Sequence, residues 1–273
     1  MNVEQFFSQL WHDYTEITPQ AEQIKQLFAA TDGVVVNDHV AFRTFADTPL
    51  QLDNLEPLLL TLGYERQDGY QFEAKKLRAY SFIHPDPCIP KVFCSELLTN
   101  QLSRKSQEII AHYTRQIKAT SSDKPLDQAL DFSVFWSARH WDMPSWDDYQ
   151  TLMMETEYGA WLLAIGIRVN HFTVSVNHLS STDSLAEVLQ RVKNAGFSIN
   201  AVGGEIKGSP ETLLEQGSTM ADRRALAFAD GDVHEIPTCF YEFSLRHEDI
   251  GNELYQGFVA ANADKIFEST SAV

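Results

Sequence analysis

The spacing of apolar and polar residues predicts the same order of elements twice along the chain. Residues 34–45 are rich in β-branched and aromatic side chains, which is typical of a strand, and residues 52–65 follow with a helical spacing that ends near Gly63. A strand at 170–177 and a helix at 183–197 repeat this order. Further strand-like runs close each half, at 70–74, 77–85 and 91–98 in the first and at 198–204, 224–230 and 238–246 in the second. The pattern therefore predicts an α+β fold with two β-α-β-β-β modules.

Helical segments flank and separate the two modules. Two amphipathic helices near the N-terminus are expected to pack as a lid on the domain behind them, and the middle of the chain has helical periodicity interrupted by a polar stretch at 119–125. The predicted organisation is N-terminal helices at 1–32, a first module at 33–98, a helical insertion at 99–168, a second module at 169–247 and a C-terminal helix at 248–273. Both modules are expected to form a single domain.

Polar side chains collect on one face of several predicted strands. Because side chains alternate along a strand, His39 and Arg43 share a face of the first opening strand, and His171 and Ser175 share a face of the second. Glu242 lies in the last strand among aromatic residues. The strands that open the two modules and the strand that closes the second therefore carry candidate chemistry.

The two histidines occupy equivalent positions of the repeat, since an acidic or amide residue precedes each. Two imidazoles and a carboxylate buried without partners would cost several kcal/mol, so a compensating partner is needed. A divalent metal provides it, and two histidines with one carboxylate form the ligand set of non-haem Fe(II) centres, which leaves positions open for substrate and O2. The sequence thus predicts an Fe(II) site at His39, His171 and Glu242.

Arg43 is the candidate substrate anchor. Guanidinium is the favoured group for a bidentate grip on a carboxylate, which points to an acidic substrate with one end at the metal and the other at Arg43. The alternative is that Arg43 pairs with a nearby carboxylate such as Asp47 at the surface.

Composition and charge exclude several functional classes. The chain has 38 acidic and 21 basic side chains, for a net charge of −17, which disfavours nucleic acid and anionic lipid as partners. Neither a basic, apolar leader nor an apolar run long enough to cross a membrane is visible, so the expected location is cytoplasmic. The three cysteines have no CxxC spacing, and neither a phosphate-binding loop nor a GxSxG elbow is present in a suitable context.

Three motifs together resemble a known enzyme family. NDHVAFRTF with His39 and Arg43, NHFTVSVN with His171 and CFYEFSLR with Glu242 are similar to the 2-oxoadipate dioxygenase/decarboxylase family, within the vicinal-oxygen-chelate superfamily, and the likeness covers most of the chain. The resemblance implies a curved sheet cavity built from both modules. It also implies Fe(II) bound by the two histidines and Glu242, with Arg43 orienting the substrate.

The reaction that this resemblance implies consumes a 2-oxo dicarboxylic acid and O2. For 2-oxoadipate the products are 2-hydroxyglutarate and CO2. The biochemically understood members of the family are longer and carry an additional C-terminal region that helps to close the substrate pocket. This difference affects the expected substrate more than the expected metal site.

Two alternatives remain at this point, and Glu96 distinguishes one of them. Glu96 is predicted to correspond to Glu242 in the first module and, with Ser175, to contact the substrate. If Glu96 instead were a fourth metal ligand, the enzyme would be an oxygen-independent isomerase, lyase or hydrolase of glyoxalase type with Ni(II) or Zn(II). A non-catalytic module that binds an acidic metabolite is the other alternative.

Overall fold

The computed structural model describes residues 1–117, 131–136 and 139–271. The helices are α1 (Val3–Ile17), α2 (Pro19–Asp32), α3 (Leu52–Thr61), α4 (Arg104–Thr114), α5 (Trp146–Met153), α6 (Glu157–Ile165), α7 (Leu185–Asn194) and α8 (Ala260–Ile266). The strands are β1 (Asn37–Phe45), β2 (Glu65–Phe72), β3 (Leu77–Ile83), β4 (Lys91–Leu97), β5 (Val169–Ser175), β6 (Lys207–Ser209), β7 (Leu214–Ser218), β8 (Arg223–Ala227), β9 (Val233–Pro237) and β10 (Phe240–Arg246). The predicted polar stretch at 119–125 lies outside the described residues.

One eight-stranded sheet carries both modules, in the order β2-β3-β4-β1-β5-β10-β7-β6. In the first module β1 pairs in parallel with β4, and β4 pairs antiparallel with β3; in the second, β5 pairs in parallel with β10, and β10 pairs antiparallel with β7. The two modules meet where β1 and β5 run antiparallel. This symmetric order confirms the predicted α+β fold of two β-α-β-β-β modules.

The middle strands of the second module differ from the prediction. Residues 198–204 contribute only an isolated bridge from Ile199 to Thr219, and the predicted strand at 224–230 overlaps β8, which pairs with β9 outside the main sheet. The strand that lies next to β10 in the main sheet is instead β7. This strand has no strand-like pattern because Gln216 faces the cavity and Gly217 faces α7, where a Cβ would lie 2.8 Å from Leu189.

The convex face of the central strands forms the core beneath the N-terminal helices. Phe172 on β5 packs against Trp11 and Tyr14 of α1, at ring-centroid distances of 5.0 and 5.2 Å. Phe243 on β10 contacts Phe28 of α2. Since side chains alternate along these strands, the packing of the convex face determines which residues point into the concave face.

In the described part of the predicted insertion, residues 99–117, 131–136 and 139–168, the structure has the helices α4, α5 and α6. The last of them is buried from Tyr158 to Ile165. None of the helices in the described ranges is long and apolar enough to cross a bilayer.

Replacing Phe172 by Ala is expected to lower the free energy of unfolding by about 3 to 5 kcal/mol, because a fully buried ring between two helical aromatic residues is lost. Urea denaturation followed by circular dichroism measures this. Leu60→Ala, at a side chain that is 46% exposed, is the control and should change stability by less than about 0.5 kcal/mol. Equal stability of the two variants would contradict this assignment of the core.

Candidate metal centre

Three neighbouring strands bring His39, His171 and Glu242 together on the concave face of the sheet. Thr173 on β5 lies between His39 on β1 and Glu242 on β10 in the strand register, and His171 lies one pleat away on the same face. Each of the three residues offers a ligand atom within 4.8 Å of the others. The structure therefore unites the three residues that the sequence selected from distant stretches of the chain.

The three side chains face one another in an almost fully buried position. The Nε2 atom of His39 lies 3.4 Å from Oε1 of Glu242, and Nε2 of His171 lies 3.2 Å from Oε2. Their exposed fractions are 2%, 7% and 0% for His39, His171 and Glu242. The hydroxyl of Thr173 lies 3.0 Å from Nε2 of His39.

The residue before each histidine fixes the orientation of its ring. The Nδ1 atom of His39 lies 2.7 Å from the carboxylate of Asp38, and Nδ1 of His171 lies 3.1 Å from Oδ1 of Asn170. An oxygen acceptor at Nδ1 favours the proton at that nitrogen and leaves the lone pair of Nε2 directed at the centre. The acidic or amide residue that opens each repeat thus orients the histidine that follows it.

The electrostatics of the triad follow from burial and mutual proximity. Burial raises the pKa of Glu242, but the nearby His171 and His39 lower it by more than that. The pKa of this carboxyl therefore lies below its ordinary value. Burial lowers the pKa of His171 to about 3, which leaves this ring neutral. Burial also lowers the pKa of His39, yet Glu242 and Asp38 outweigh that effect and raise it.

This arrangement fits a divalent metal ion. The Oε2 atom of Glu242 is buried and has no hydrogen-bond partner within the described part of the chain, although it faces an imidazole lone pair. Two imidazole nitrogens and one carboxylate are the ligand set of a facial triad. A cation bound among these atoms would compensate the buried negative charge.

The first module places no carboxylate beside the triad at the position equivalent to Glu242. In the second module, His171 on β5 pairs with Phe240 on β10, and Thr173 pairs with Glu242. In the first module, the equivalent pairs between β1 and β4 are His39 with Lys91 and Ala41 with Phe93. Phe93 is therefore the structural counterpart of Glu242, and its side chain lines the cavity.

This placement corrects the prediction for Glu96. Its side chain lies on the other face of β4 and is buried, where it accepts a hydrogen bond from the backbone of Leu52 at 2.8 Å and pairs with Arg78. Glu96 does not line the cavity. The equivalence with Glu242 failed because it relied on a similar sequence pattern and not on the strand register.

Ser175 also lies away from the cavity. It shares a strand face with His171, but it stands at the far end of β5, where its hydroxyl lies 2.9 Å from Nδ1 of His178. It lines a separate polar pocket with Lys91 and Arg246. The expectation that Ser175 contacts the substrate is therefore corrected as well.

A narrow cavity extends from the triad to Arg43. Its walls are apolar and come from both modules and from the C-terminal residues. The wall residues include Phe93, Phe258, Ala263, Ile266 and Phe267. The sequence predicted a C-terminal helix but not its position, and the structure places α8 and the residue that follows it in the cavity wall.

Arg43 is a buried cation without a carboxylate partner among the residues described. Its Nη2 donates to the hydroxyl of Thr270 at 3.0 Å, its Nε has no partner, and its guanidinium lies over Trp161 and Tyr158 at 4.8 and 4.9 Å. Burial lowers the pKa of Arg43 to about 10, so it remains charged at neutral pH. Asp47, the alternative partner, instead accepts a hydrogen bond from Thr99.

Gln216 is a site residue that the sequence did not reveal. It lines the cavity, and its Nε2 donates to Oε1 of Glu242 at 2.7 Å. Strand β7, which carries Gln216, has no recognisable alternation of apolar and polar residues. Its position beside Glu242 therefore follows only from the pairing of β7 with β10.

Comparison with known proteins gives a consistent family. The model of the 2-oxoadipate dioxygenase/decarboxylase family matches residues 6–250. A curated rice relative, named 2-oxoadipate dioxygenase/decarboxylase, chloroplastic/amyloplastic, is 36% identical over 94% of this chain and 76% of its own length.

Solved structures agree with the fold over nearly the whole chain. The Oryza sativa hydroxyglutarate synthase in complex with 2-oxoadipate has a TM-score of 0.89 and 35% identity, covering 98% of this chain and 91% of that one. A Shewanella frigidimarina protein described as a candidate hydrolase has a TM-score of 0.86 and 44% identity, covering 95% and 98%. The extent of the family match and the identity to the rice relative establish that this chain belongs to the 2-oxoadipate dioxygenase/decarboxylase family.

Proposed function

We propose that this protein is an Fe(II)-dependent dioxygenase that decarboxylates a 2-oxo dicarboxylic acid, converting 2-oxoadipate and O2 to 2-hydroxyglutarate and CO2. The single observation that carries the proposal is the cavity with a two-histidine, one-carboxylate centre at one end and, at the other, an arginine that has no carboxylate partner among the described residues. The rice relatives, whose names state this activity and a complex with 2-oxoadipate, support the choice of substrate. The equation balances without a further reductant.

His39, His171 and Glu242 are the proposed ligands of the iron. When bound, Fe(II) would supply a site for the 2-oxo acid and O2 and the electrons for O2 activation. Asp38 and Asn170 hold the two rings with Nε2 directed inward, and Gln216 holds one oxygen of Glu242. The side chains are thus preorganised, and little rearrangement is needed when a metal binds.

Arg43 is the proposed anchor for the carboxylate at the far end of the substrate. The buried guanidinium lacks a carboxylate partner within the described ranges and lines the cavity, so an anionic ligand would compensate its charge. The apolar walls between Arg43 and the triad suit the methylene groups of a dicarboxylic acid. Binding at both ends would orient the 2-oxo group toward the metal and exclude water.

The oxygen-independent glyoxalase-type alternative has less support. It needs Glu96 as a fourth ligand, whereas Glu96 pairs with Arg78 and Phe93 occupies the position equivalent to Glu242. The cytoplasmic location remains a prediction, and the plastid location in the rice relative's name belongs to that protein.

Anaerobic reconstitution with Fe(II), followed by exposure to O2, is expected to give O2 uptake and CO2 release with 2-oxoadipate in equal amounts. A panel of 2-oxo acids of different length and charge identifies the preferred substrate. His171→Ala should abolish both signals because it removes a proposed ligand, and His112→Ala, at a helix residue outside the cavity, is the control. CO2 or another product released without O2 would instead support the oxygen-independent alternative.

Arg43→Met is expected to raise the KM for 2-oxoadipate about 10- to 100-fold, since one charge-assisted contact of roughly 1.5 to 3 kcal/mol is lost. The KM for 2-oxohexanoate, which lacks the distal carboxylate, should change far less. Iron content, measured by mass spectrometry, should remain that of the wild type. Loss of iron, or an equal change for both acids, would contradict the role of Arg43.

Glu96→Gln is expected to leave metal content and KM unchanged but to lower stability by about 1 to 3 kcal/mol, because Arg78 loses its charged, buried partner. Thermal unfolding and metal analysis of the same preparation separate the two effects. Loss of bound metal in this variant would restore Glu96 as a ligand.

A further inference from the structure

Two buried polar side chains join the metal-binding residues to the last part of the chain, residues 255–270, which is called the C-terminal segment below. This segment provides Phe258 and Phe267 to the cavity wall. Each of the two connections begins at a different proposed ligand and ends on a different part of the segment. One connection runs through Arg246 and the other through Gln216.

Arg246 connects His39 to the start of the C-terminal segment. Its Nε and Nη2 donate to the two carboxylate oxygens of Asp38, at 2.6 and 2.9 Å, and Asp38 holds the ring of His39. Its Nη1 donates to the backbone carbonyls of Tyr255 and Gly257, both at 2.8 Å. The side chain is 4% exposed, so these bonds do not compete with bulk water.

The position of Phe258 shows what this connection achieves at the cavity. Phe258 follows directly after the carbonyls that Arg246 holds, and its ring meets the ring of His39 edge to face at 4.9 Å. The guanidinium of Arg246 therefore has two effects. Through Asp38 it holds the Nδ1 side of the His39 ring, and through the carbonyl of Gly257 it positions Phe258 against the same ring.

Gln216 connects Glu242 to α8 in a fixed direction. A carboxylate can only accept hydrogen bonds, so the amide group of Gln216 must donate to Glu242, and its Oε1 must then face Asn262. Asn262 donates to that oxygen at 3.2 Å and to the carbonyl of Leu214 at 3.1 Å. Exchanging the oxygen and nitrogen of the Gln216 or Asn262 amide would place two acceptors or two donors against each other. Asn262 on α8 therefore helps to fix the orientation in which Gln216 donates to Glu242.

We propose that Arg246 and Gln216 are positioning residues through which three particular contacts of the C-terminal segment, those of the Tyr255 and Gly257 carbonyls and of the Asn262 amide, hold the geometry of His39 and Glu242. The inference rests on the metal centre of the proposed function. Asn262 then influences metal affinity without touching a ligand, because it acts through Gln216. Coupling of this kind is reciprocal, so metal binding also orders the C-terminal segment.

The first test uses Asn262→Leu, which keeps a side chain branched at Cγ but removes the donor to Gln216. Asn200→Leu is the matched control, since Asn200 is equally buried and donates to Lys265 and Ser269 of the same segment but contacts neither Gln216 nor Arg246. Titration of the metal-free protein with Co(II), followed by visible absorption, should give a dissociation constant about 10- to 100-fold higher for Asn262→Leu and a nearly unchanged one for Asn200→Leu.

A second variant keeps the test informative if Asn262→Leu folds poorly. Gln216→Met should weaken Co(II) binding to a similar extent, and the double variant Gln216→Met with Asn262→Leu should weaken it no further, since both act on Glu242 through one path. Arg246→Lys should also weaken binding, because lysine cannot hold Asp38 and two carbonyls together. Arg78→Lys, in the ion pair with Glu96 outside the cavity, is its control.

Amide hydrogen exchange of residues 255–270 with and without Co(II) provides the reciprocal measurement. Exchange should slow on addition of Co(II) in the wild type and slow less in Asn262→Leu. An equal loss of affinity in Asn262→Leu and Asn200→Leu, additive effects in the double variant, or unchanged exchange in the metal-bound wild type would overturn the inference alone. Failure of the wild type to bind Co(II) would overturn the metal centre together with it.

Discussion

The buried carboxylate of Glu242, facing two imidazole nitrogens, is the interaction on which the rest of the structure depends. Its partners come from β1 and β5, so the three meet only in one register, with Thr173 between His39 and Glu242. A slip of one residue in any of these strands would turn its polar side chain toward the aromatic core. The packing of Phe172 beneath α1 therefore fixes the strand register that brings His39, His171 and Glu242 together.

The directions of the central strands determine which residues lie at each end of the site. Both β1 and β10 pair with β5, but β1 runs antiparallel to it and β10 runs parallel. An arginine lies four residues after His39 on β1 and four residues after Glu242 on β10, so Arg43 and Arg246 lie at opposite ends of the site. Asp38 neutralises Arg246, whereas Arg43 has no carboxylate partner in the described structure, so the two ends are chemically distinct.

Sequence reasoning succeeded where the strand pattern was strong and failed where it was weak. His39, Arg43, His171 and Glu242 lie on strands with clear alternation, so their common face could be predicted. Gln216 could not be found, because β7 has a glycine opposite α7 where an apolar residue would have marked a strand. Position in a repeat was a weaker guide than register, which is why Glu96 was expected in the cavity. The placement of α8 depends on long-range contacts such as the bond from Asn262 to Gln216, which no local pattern records.

The difference between the two modules bears on the proposed reaction with O2. Phe93 occupies the position of the first module that corresponds to Glu242. On the side of the cavity that faces Arg43, the triad therefore gains no fourth metal-binding side chain from this position. In the proposed reaction that side must accept both a chelating acid and O2, and a fourth carboxylate there would take up one position and repel the anionic substrate. Phe93 instead contacts Phe258 at 5.0 Å and keeps the same wall apolar. In the proposed reaction, Phe93 thus leaves room beside the triad and makes the neighbouring wall apolar.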